Sequence, residues 1–462
     1  MSTVNMQTPF RDTSSIDQGF VTGIVTKALQ AGASDAEAVY AEGDEFEVQV
    51  RMDQVETLKE SGSRALGLRV LIGQRTASTS TSDLSPEGIE RLVSGAIELA
   101  RVTSEDPFAG LPEKEAFGSL SGDLDLYHDD VYSLPAKDRI EYARRAEAAS
   151  MSADARITNS NGGSFQAATG RKILANSCGF VGEYQTSYCS IAAQPIAQAP
   201  DGRMQRDYWY SDARSLRLLD TPEAVGQEAA RRTLRRLGAR KIKTQRVPIV
   251  FAPEIAPSIL SEVLQAVNGD AIYRNASFLA DKLGESVAAE NITIVNDGTM
   301  PGRFGTKPFD GEGLPTRRTV VLARGVLQNY LLNTYTARKL GMQSTGNAAR
   351  GLAGTPGIGA GNFYLEPGTE TQQQILAAIP NGLYVTGLMG HGGNIVTGDF
   401  SSGASGLWIE NGELTYPVEE ITIAGNMKEM LRNIPAIGND LIFYGSVACP
   451  TIRIDGMTIA GE

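Results

Sequence analysis

Apolar residues recur every three or four positions near the start of the chain, between positions 15 and 31, with polar residues between them. This spacing places the apolar side chains on one face of a helix, and Gly32 follows as a natural stop. A second helix is predicted over 85–102, because a serine able to cap a helix precedes a proline at the first helical position. The same periodicity predicts two more helices, over 135–151 and 222–237.

Between these helices the apolar period shortens to two, which is typical of strands with one buried face. The alternation is clearest at Phe46, Val48 and Val50, which are separated by charged or amide side chains. Beyond position 247, short apolar runs are interrupted by glycine, asparagine and proline, with one longer helical segment over 254–268. The pattern therefore predicts an α+β fold: an N-terminal α+β region of helices and antiparallel strands, followed by a β-dominated C-terminal domain. In the N-terminal region, the first strands are predicted over 35–43, 45–54 and 65–79.

A chain of 462 residues is too long for a single hydrophobic core, so more than one domain is expected. Positions 1–15 are polar and are predicted to be loose. Near position 241 the sequence changes to short apolar runs that are interrupted by glycine, asparagine and proline. This change predicts an N-terminal domain over 16–240 and a β-rich C-terminal domain over 241–462. A loop rich in proline, glycine and aspartate, over 105–135, divides the N-terminal domain into two sub-regions.

The net charge of −12 argues against a general nucleic-acid binder, whose binding face is basic. One basic stretch, over 231–246, departs from this balance, and we interpret it as a solvated helix end followed by a linker, with contact to an acidic partner as the alternative. No run approaches the ~18 apolar residues of a membrane helix, and no signal peptide is recognised. Three cysteines in so long a chain do not form a disulfide framework, so a cytoplasmic location without membrane contact is expected.

The segment over 387–413 is rich in glycine and contains one of the two histidines of the chain. A phosphate cradle needs glycines that open a helix, whereas this segment continues as strand and turn, so its glycines are assigned to turns. His391, Asp399 and Ser401 lie close in sequence, but no Gly-x-Ser-x-Gly elbow accompanies them as evidence of a nucleophile. No His-Glu-x-x-His or Cys-x-x-Cys string is present, so the residues alone indicate no transition-metal motif.

The C-terminal half resembles the TldD/PmbA family, which is described both as modulators of DNA gyrase and as zinc peptidases. The family signature is similar to the segment GLYVTGLMGHGGNIVTGDFSSGASGLWIENGELTYPVEEITIAGNMKEML. The resemblance extends to RVPIVFAPEIAPSIL, TIVNDGT and DGEGLPTRRTVVLARGVLQNYLLNTYTARKLG, and more weakly to VYAEGDEFEVQVRMDQVETLKESGSRALGLRVLIG. It therefore covers most of the chain.

The family contains two kinds of subunit, and the resemblance implies which kind this chain is. The TldD kind holds zinc through His-Glu-x-x-x-His on a helix and a cysteine further along. The corresponding helix here is PEIAPSILSEVLQAVNGD, in which Ser261, Glu262 and Ala266 occupy the motif and both histidines are absent. Serine and alanine cannot replace imidazole ligands, and we interpret Glu262 as an exposed helix residue. The chain therefore resembles the PmbA kind, also called TldE, which lacks the metal site.

This resemblance implies a non-catalytic subunit of a metallopeptidase that acts on unfolded peptides. Its expected partner is a TldD-like subunit that carries zinc, with a homodimer as the other assembly; no metal or other cofactor is expected in this chain. His391, Asn394, Asp399 and Ser401 are expected to face a peptide or the partner rather than to perform chemistry. Two alternatives stay open: a self-sufficient homodimeric hydrolase, and a regulatory binding protein linked to DNA gyrase or toxin tolerance.

Overall fold

The structure, a computed structural model, describes residues 16–120, 122–390 and 392–462. It confirms the four helices predicted in the first half of the chain (16–240), with small shifts at their ends. The Ser85 hydroxyl accepts a hydrogen bond from the Gly88 amide at 3.1 Å and so caps the second helix as expected. The helices of this half are α1 (Gln18–Gln30), α2 (Pro86–Val102), α3 (Asp130–Ser133), α4 (Ala136–Ser152) and α5 (Pro222–Leu234).

One antiparallel sheet is built from the strands of the first half. Its strands lie in the order β3-β2-β1-β4-β5-β6, and β7 pairs with β5 beside β6. Helices α1 and α2 pack on one end of this sheet, and α4 and α5 pack on the other. The strands are β1 (Asp35–Arg51), β2 (Gln54–Ile72), β3 (Arg75–Thr81), β4 (Ile157–Asn176), β5 (Val181–Gln198), β6 (Met204–Arg206) and β7 (Trp209–Ala213).

The predicted boundaries of the first strands are wrong. β1 continues through Gly43 without a break, because β4 runs so close that a Cβ at Gly43 would lie 2.7 Å from the carbonyl oxygen of Thr169. β1 also ends earlier than predicted, since Met52 and Asp53 have φ values of 49° and 63° and form a two-residue hairpin turn. β2 starts directly after this turn and covers a polar stretch that no hydrophobic alternation marks.

The second half of the chain (241–462) is dominated by strands, as predicted. Its largest sheet has the order β17-β16-β15-β8-β20-β18, and a second sheet has the order β11-β10-β9-β14-β19. The helices are α6 (Pro257–Ala266), α7 (Gly269–Tyr273), α8 (Thr334–Leu340), α9 (Gln372–Ala377) and α10 (Met427–Met430). The strands are β8 (Gln245–Phe251), β9 (Ile294–Asp297), β10 (Arg318–Ala323), β11 (Val326–Leu327), β12 (Ala348–Ala349), β13 (Gly357–Ile358), β14 (Asn362–Leu365), β15 (Asn381–Met389), β16 (Asp399–Glu410), β17 (Glu413–Asn426), β18 (Ala436–Ile437), β19 (Val447–Ala448) and β20 (Ile452–Ala460).

The two halves pack against each other through the sheet of the first half. Val39 of β1 and Leu174 of β4 form a small apolar cluster with Phe309 from the second half. The hairpin of β12 and β13 crosses the same sheet so closely that a Cβ at Gly67 would collide with the backbone of Leu352. The domain boundary near position 241 stays a prediction, but the two segments it separates are in direct contact. Among the described residues, no helix combines the length and apolar character needed to cross a membrane.

Candidate functional site

Helix α6 carries Ser261, Glu262 and Ala266, the positions that the family resemblance assigns to the metal motif. Its apolar face, including Ile259 and Val263, is buried in the core of the second half. The Ser261 hydroxyl donates a hydrogen bond to the carbonyl oxygen of Pro257 at 2.9 Å, and Ala266 is fully buried. Neither side chain therefore presents a donor atom that suits zinc.

Glu262 is partly buried, so the prediction that it is an exposed helix residue is wrong. Its carboxylate lies against Gly393 of the glycine-rich segment, where any Cβ would collide with it. The absence of a side chain at Gly393 allows the loop to approach α6 this closely. The structure thus brings together Glu262 of α6 and the glycine-rich segment, which are far apart in sequence.

Cys449 lies against the same helix, but in apolar surroundings. It is fully buried in a small cavity whose lining includes Ile259, Leu260 and Val263 of α6. Burial raises the pKa of the Cys449 thiol far above its usual range, which disfavours the thiolate that metals require. In the part of the chain that the structure describes, no three His, Cys, Asp or Glu side chains are grouped as metal ligands. Among the described residues, the donor atoms around α6 therefore do not fit a zinc site.

The loop between β15 and β16 and the first residues of β16 contain the residues predicted to face a peptide or a partner. The side-chain oxygen of Asn394 accepts a hydrogen bond from the Val396 amide at 2.9 Å, and the Ser401 amide donates one to the Gly392 carbonyl at 2.6 Å. Asn394 and Ser401 are exposed. His391, predicted to belong to the same group, lies outside the described residues.

Asp399 is exposed at the end of this loop and is held by two neighbours. Its carboxylate accepts hydrogen bonds from the Thr397 hydroxyl at 2.7 Å and the Asn426 amide at 3.0 Å. These bonds, the first from Thr397, lower the pKa of Asp399, so the group is ionised at neutral pH. Gly398, with a φ of 88°, supplies the left-handed turn before it, as expected for glycines that serve turns.

A cleft between the two halves of the chain opens beside the end of β15. It has a volume of about 180 Å³ and is bordered by the aromatic run Tyr208, Trp209 and Tyr210. Tyr444 packs edge-on against Trp209, with ring centroids 5.5 Å apart. Sequence analysis missed this cleft, although three successive aromatic residues are a usable signal in a chain with only 7% aromatic residues.

The floor of this cleft contains a buried ion pair from the basic stretch over 231–246. Arg232 contacts Glu254 at 2.5 Å and Asp207 at 3.8 Å, and its guanidinium lies 4.7 Å from the ring centre of Trp209. The prediction of a solvated helix end is therefore wrong for Arg232, because this part of α5 packs onto β7. Further along, the stretch does reach the surface, where Lys241 pairs with an exposed glutamate.

Comparison with known proteins reveals similarity along nearly the whole chain. Family models described as the PmbA/TldA metallopeptidase domain 1, central domain and C-terminal domain match residues 36–100, 129–237 and 244–461. The chain is 40% identical to the metalloprotease PmbA of Escherichia coli O157:H7, over 94% of each chain. It is 37% identical to the metalloprotease PmbA homolog of Haemophilus influenzae, over 95% of this chain and 94% of that one.

Two crystal structures show the same fold. A candidate modulator of DNA gyrase from Bacteroides thetaiotaomicron superposes with a TM-score of 0.89 at 28% identity, covering 96% of this chain and 98% of that chain. TldE from Thermococcus kodakarensis superposes with a TM-score of 0.84, covering 95% of this chain and 99% of that chain. Its 20% identity supports a shared fold and no more.

Proposed function

The chain belongs to the PmbA/TldD metallopeptidase family, and on that premise we propose that it is a subunit without a metal centre. A TldD-like subunit supplies the zinc and performs the cleavage, and the two together act on unfolded peptides. The three cysteines are free thiols, which fits the cytoplasmic location that this proposal includes.

The observation that carries this proposal is the set of donor atoms around α6. The relatives are named metalloproteases. Here, however, the Ser261 hydroxyl is hydrogen-bonded to the backbone carbonyl of Pro257, and the side chain of Ala266 has no atom that can bind a metal. The Cys449 thiol lies among apolar side chains that favour its neutral form. Since a catalytic zinc needs about three protein ligands, cleavage by this chain alone is not expected.

The purified chain is expected to contain no stoichiometric zinc, because no three suitable ligands of the described residues converge at α6. Elemental analysis after dialysis against zinc measures this directly, with a TldD-like subunit treated in parallel as the positive control. Glu262→Ala and Cys449→Ala should leave the metal content unchanged. About one zinc per chain, lost in either variant, would overturn the proposal.

Asp399→Asn is expected to leave the fold intact and to weaken the assembled enzyme. An exposed substitution shifts the free energy of unfolding by ~0.5 kcal/mol or less. If Asp399 faces a peptide or the partner, KM should rise or partner affinity should fall about twofold to fivefold, as expected for one interaction worth ~0.4–1 kcal/mol. The value of kcat should fall less, because the residue takes no part in the chemistry.

Glu410→Gln is the matched control, since Glu410 is an exposed carboxylate at the opposite end of the same strand, β16. Urea denaturation and steady-state kinetics of both variants separate the two roles. A lower denaturation midpoint for Asp399→Asn with unchanged kinetics would show that the loop is only structural.

A further inference from the structure

A small cavity lies where the end of α5 meets the large sheet of the second half. It has a volume of about 10 Å³, which is room for a single particle the size of a water molecule. Arg235 and Arg236, which directly follow α5, line it from the first half of the chain. Thr386 of β15, Ser405 of β16 and Glu419 of β17 line it from the second half. A particle held in this cavity therefore contacts both halves.

The guanidinium of Arg235 carries donors that no side chain or carbonyl accepts. Its Nε and Nη2 atoms are buried and have no hydrogen-bond partner in the part of the chain that the structure describes. The carbonyl oxygens of Arg231 and Thr233, at the end of α5, accept hydrogen bonds from the backbone amide of Arg235 and not from its side chain. Because buried N–H groups without an acceptor are costly, this guanidinium favours an acceptor from outside the chain.

The charges around Arg235 favour an anion over a neutral acceptor. Two guanidinium groups and one carboxylate, that of Glu419, line the cavity. Glu419 is engaged by the Gln205 side chain, which donates to its two oxygens at 2.9 and 2.7 Å. The two carboxylates of the adjoining cleft are both engaged by Arg232. Burial, and then the charge of Arg232, lower the pKa of the Arg235 guanidinium, as expected for a cation without a counter-ion of its own.

The remaining lining fits a small anion. Thr386 and Ser405 are both buried, and each supplies a hydroxyl group, which is a hydrogen-bond donor. The volume of about 10 Å³ is too small for a phosphate or an organic carboxylate but admits a single atom. A monatomic anion therefore satisfies the size of the cavity, its charge and its donors together.

We propose that this cavity binds a monatomic anion, chloride, between the Arg235 guanidinium and the hydroxyl groups of Thr386 and Ser405. The ion links the end of α5 to β15 and β16, so chloride stabilises the contact between the two halves of the chain. The inference goes beyond the proposed function, because it requires neither zinc nor a partner. A water molecule is the other occupant of suitable size, and the test separates the two.

Thermal unfolding of the full-length chain, followed by circular dichroism, is compared in sodium chloride, sodium bromide and sodium gluconate at equal ionic strength. Gluconate is too large for the cavity and reproduces the general screening by salt. Chloride and bromide should raise the unfolding midpoint relative to gluconate, by about 1–3 °C at ten times the dissociation constant. No difference between chloride and gluconate would identify the occupant as water and overturn the proposal.

Arg235→Met keeps much of the length of the side chain and removes the charge and the unpartnered donors. It should abolish the difference between chloride and gluconate. Arg231→Met is the matched control, because Arg231 is exposed on the last turn of α5 and pairs with Glu228 outside the cavity, so this variant should keep the difference. The same chloride effect in Arg235→Met as in the unaltered chain, with a native circular dichroism spectrum, would refute the site.

Bromide locates the ion without any variant, through its anomalous scattering in crystals of the unaltered chain. A peak within hydrogen-bonding distance of the Arg235 guanidinium is expected. No anomalous signal in the cavity would refute the site even if Arg235→Met does not fold. A peak without any chloride effect on unfolding would also refute it, since such an ion would bind only at the concentration used in the crystal.

Discussion

Glu37→Gln is expected to lower the free energy of unfolding by roughly 3–5 kcal/mol, the cost of leaving buried charges without their partner. Glu37 is fully buried on β1 and lies 2.7 Å from the Arg69 Nη1 atom on β2. It also pairs with Arg350, which follows β12 in the second half of the chain and whose side chain is fully buried. Glutamine preserves the volume but removes the carboxylate that is the only ion-pair partner of either guanidinium among the described residues.

The position of this cluster makes the expected effect large. Glu37 and Arg69 belong to the sheet of the first half, whereas Arg350 reaches them from the hairpin that crosses that sheet. Loss of the central carboxylate therefore weakens the contact between the halves as well as the interior of one sheet. The Arg350 Nε and Nη2 atoms have no hydrogen-bond partner among the described residues, so little else compensates for the lost charge.

Urea denaturation followed by circular dichroism measures the effect. Glu45→Gln is the control, because Glu45 is an exposed carboxylate on the same strand, and its replacement should change the free energy of unfolding by ~0.5 kcal/mol or less. Denaturation midpoints for Glu37→Gln and Glu45→Gln that agree within error would show that the buried cluster does not hold the halves together.

Helices were predicted well because their signals are local. The start of α2 is determined by Ser85 and the proline after it, and the structure places the cap at that serine. β1 was predicted less well, because Gly43 resembles a break in the sequence. Only the closely packed neighbouring strand at Thr169 explains why the chain stays extended there. Boundaries of this kind depend on contacts between distant segments, which hydrophobic periodicity does not record.

The candidate site was predicted only in part for the same reason. The glycine-rich loop and α6 were both identified from the sequence, but their contact through Glu262 and Gly393 was not. The cleft is assembled from five separate segments, around Tyr208, Arg232, Glu254, Gly387 and Ser405, and no single segment has a functional motif. The sequence did show that imidazole ligands are absent from α6, because the identity of the side chains is enough for that conclusion.

Peptide cleavage is expected to appear only when this chain is mixed with a TldD-like subunit. Neither Ser261 nor Cys449 presents a zinc ligand, so on our proposal the lone chain holds no zinc to activate water and its rate should equal the uncatalysed background. Enzymes typically accelerate reactions by ~10⁶-fold or more. The mixture should therefore cleave the peptide at a readily measured rate, whereas no cleavage above background should be detected with the lone chain. A chelator should abolish cleavage by the mixture, and zinc should restore it.

The most direct measurement of the central claim is therefore the cleavage of an unfolded peptide by the lone chain and by the mixture, each with and without chelator. The control is a mixture in which the TldD-like subunit has lost one histidine of its zinc motif, and it should be inactive. The account predicts no cleavage by the lone chain and chelator-sensitive cleavage by the intact mixture. Robust cleavage by the lone chain, unaffected by chelator, would contradict it.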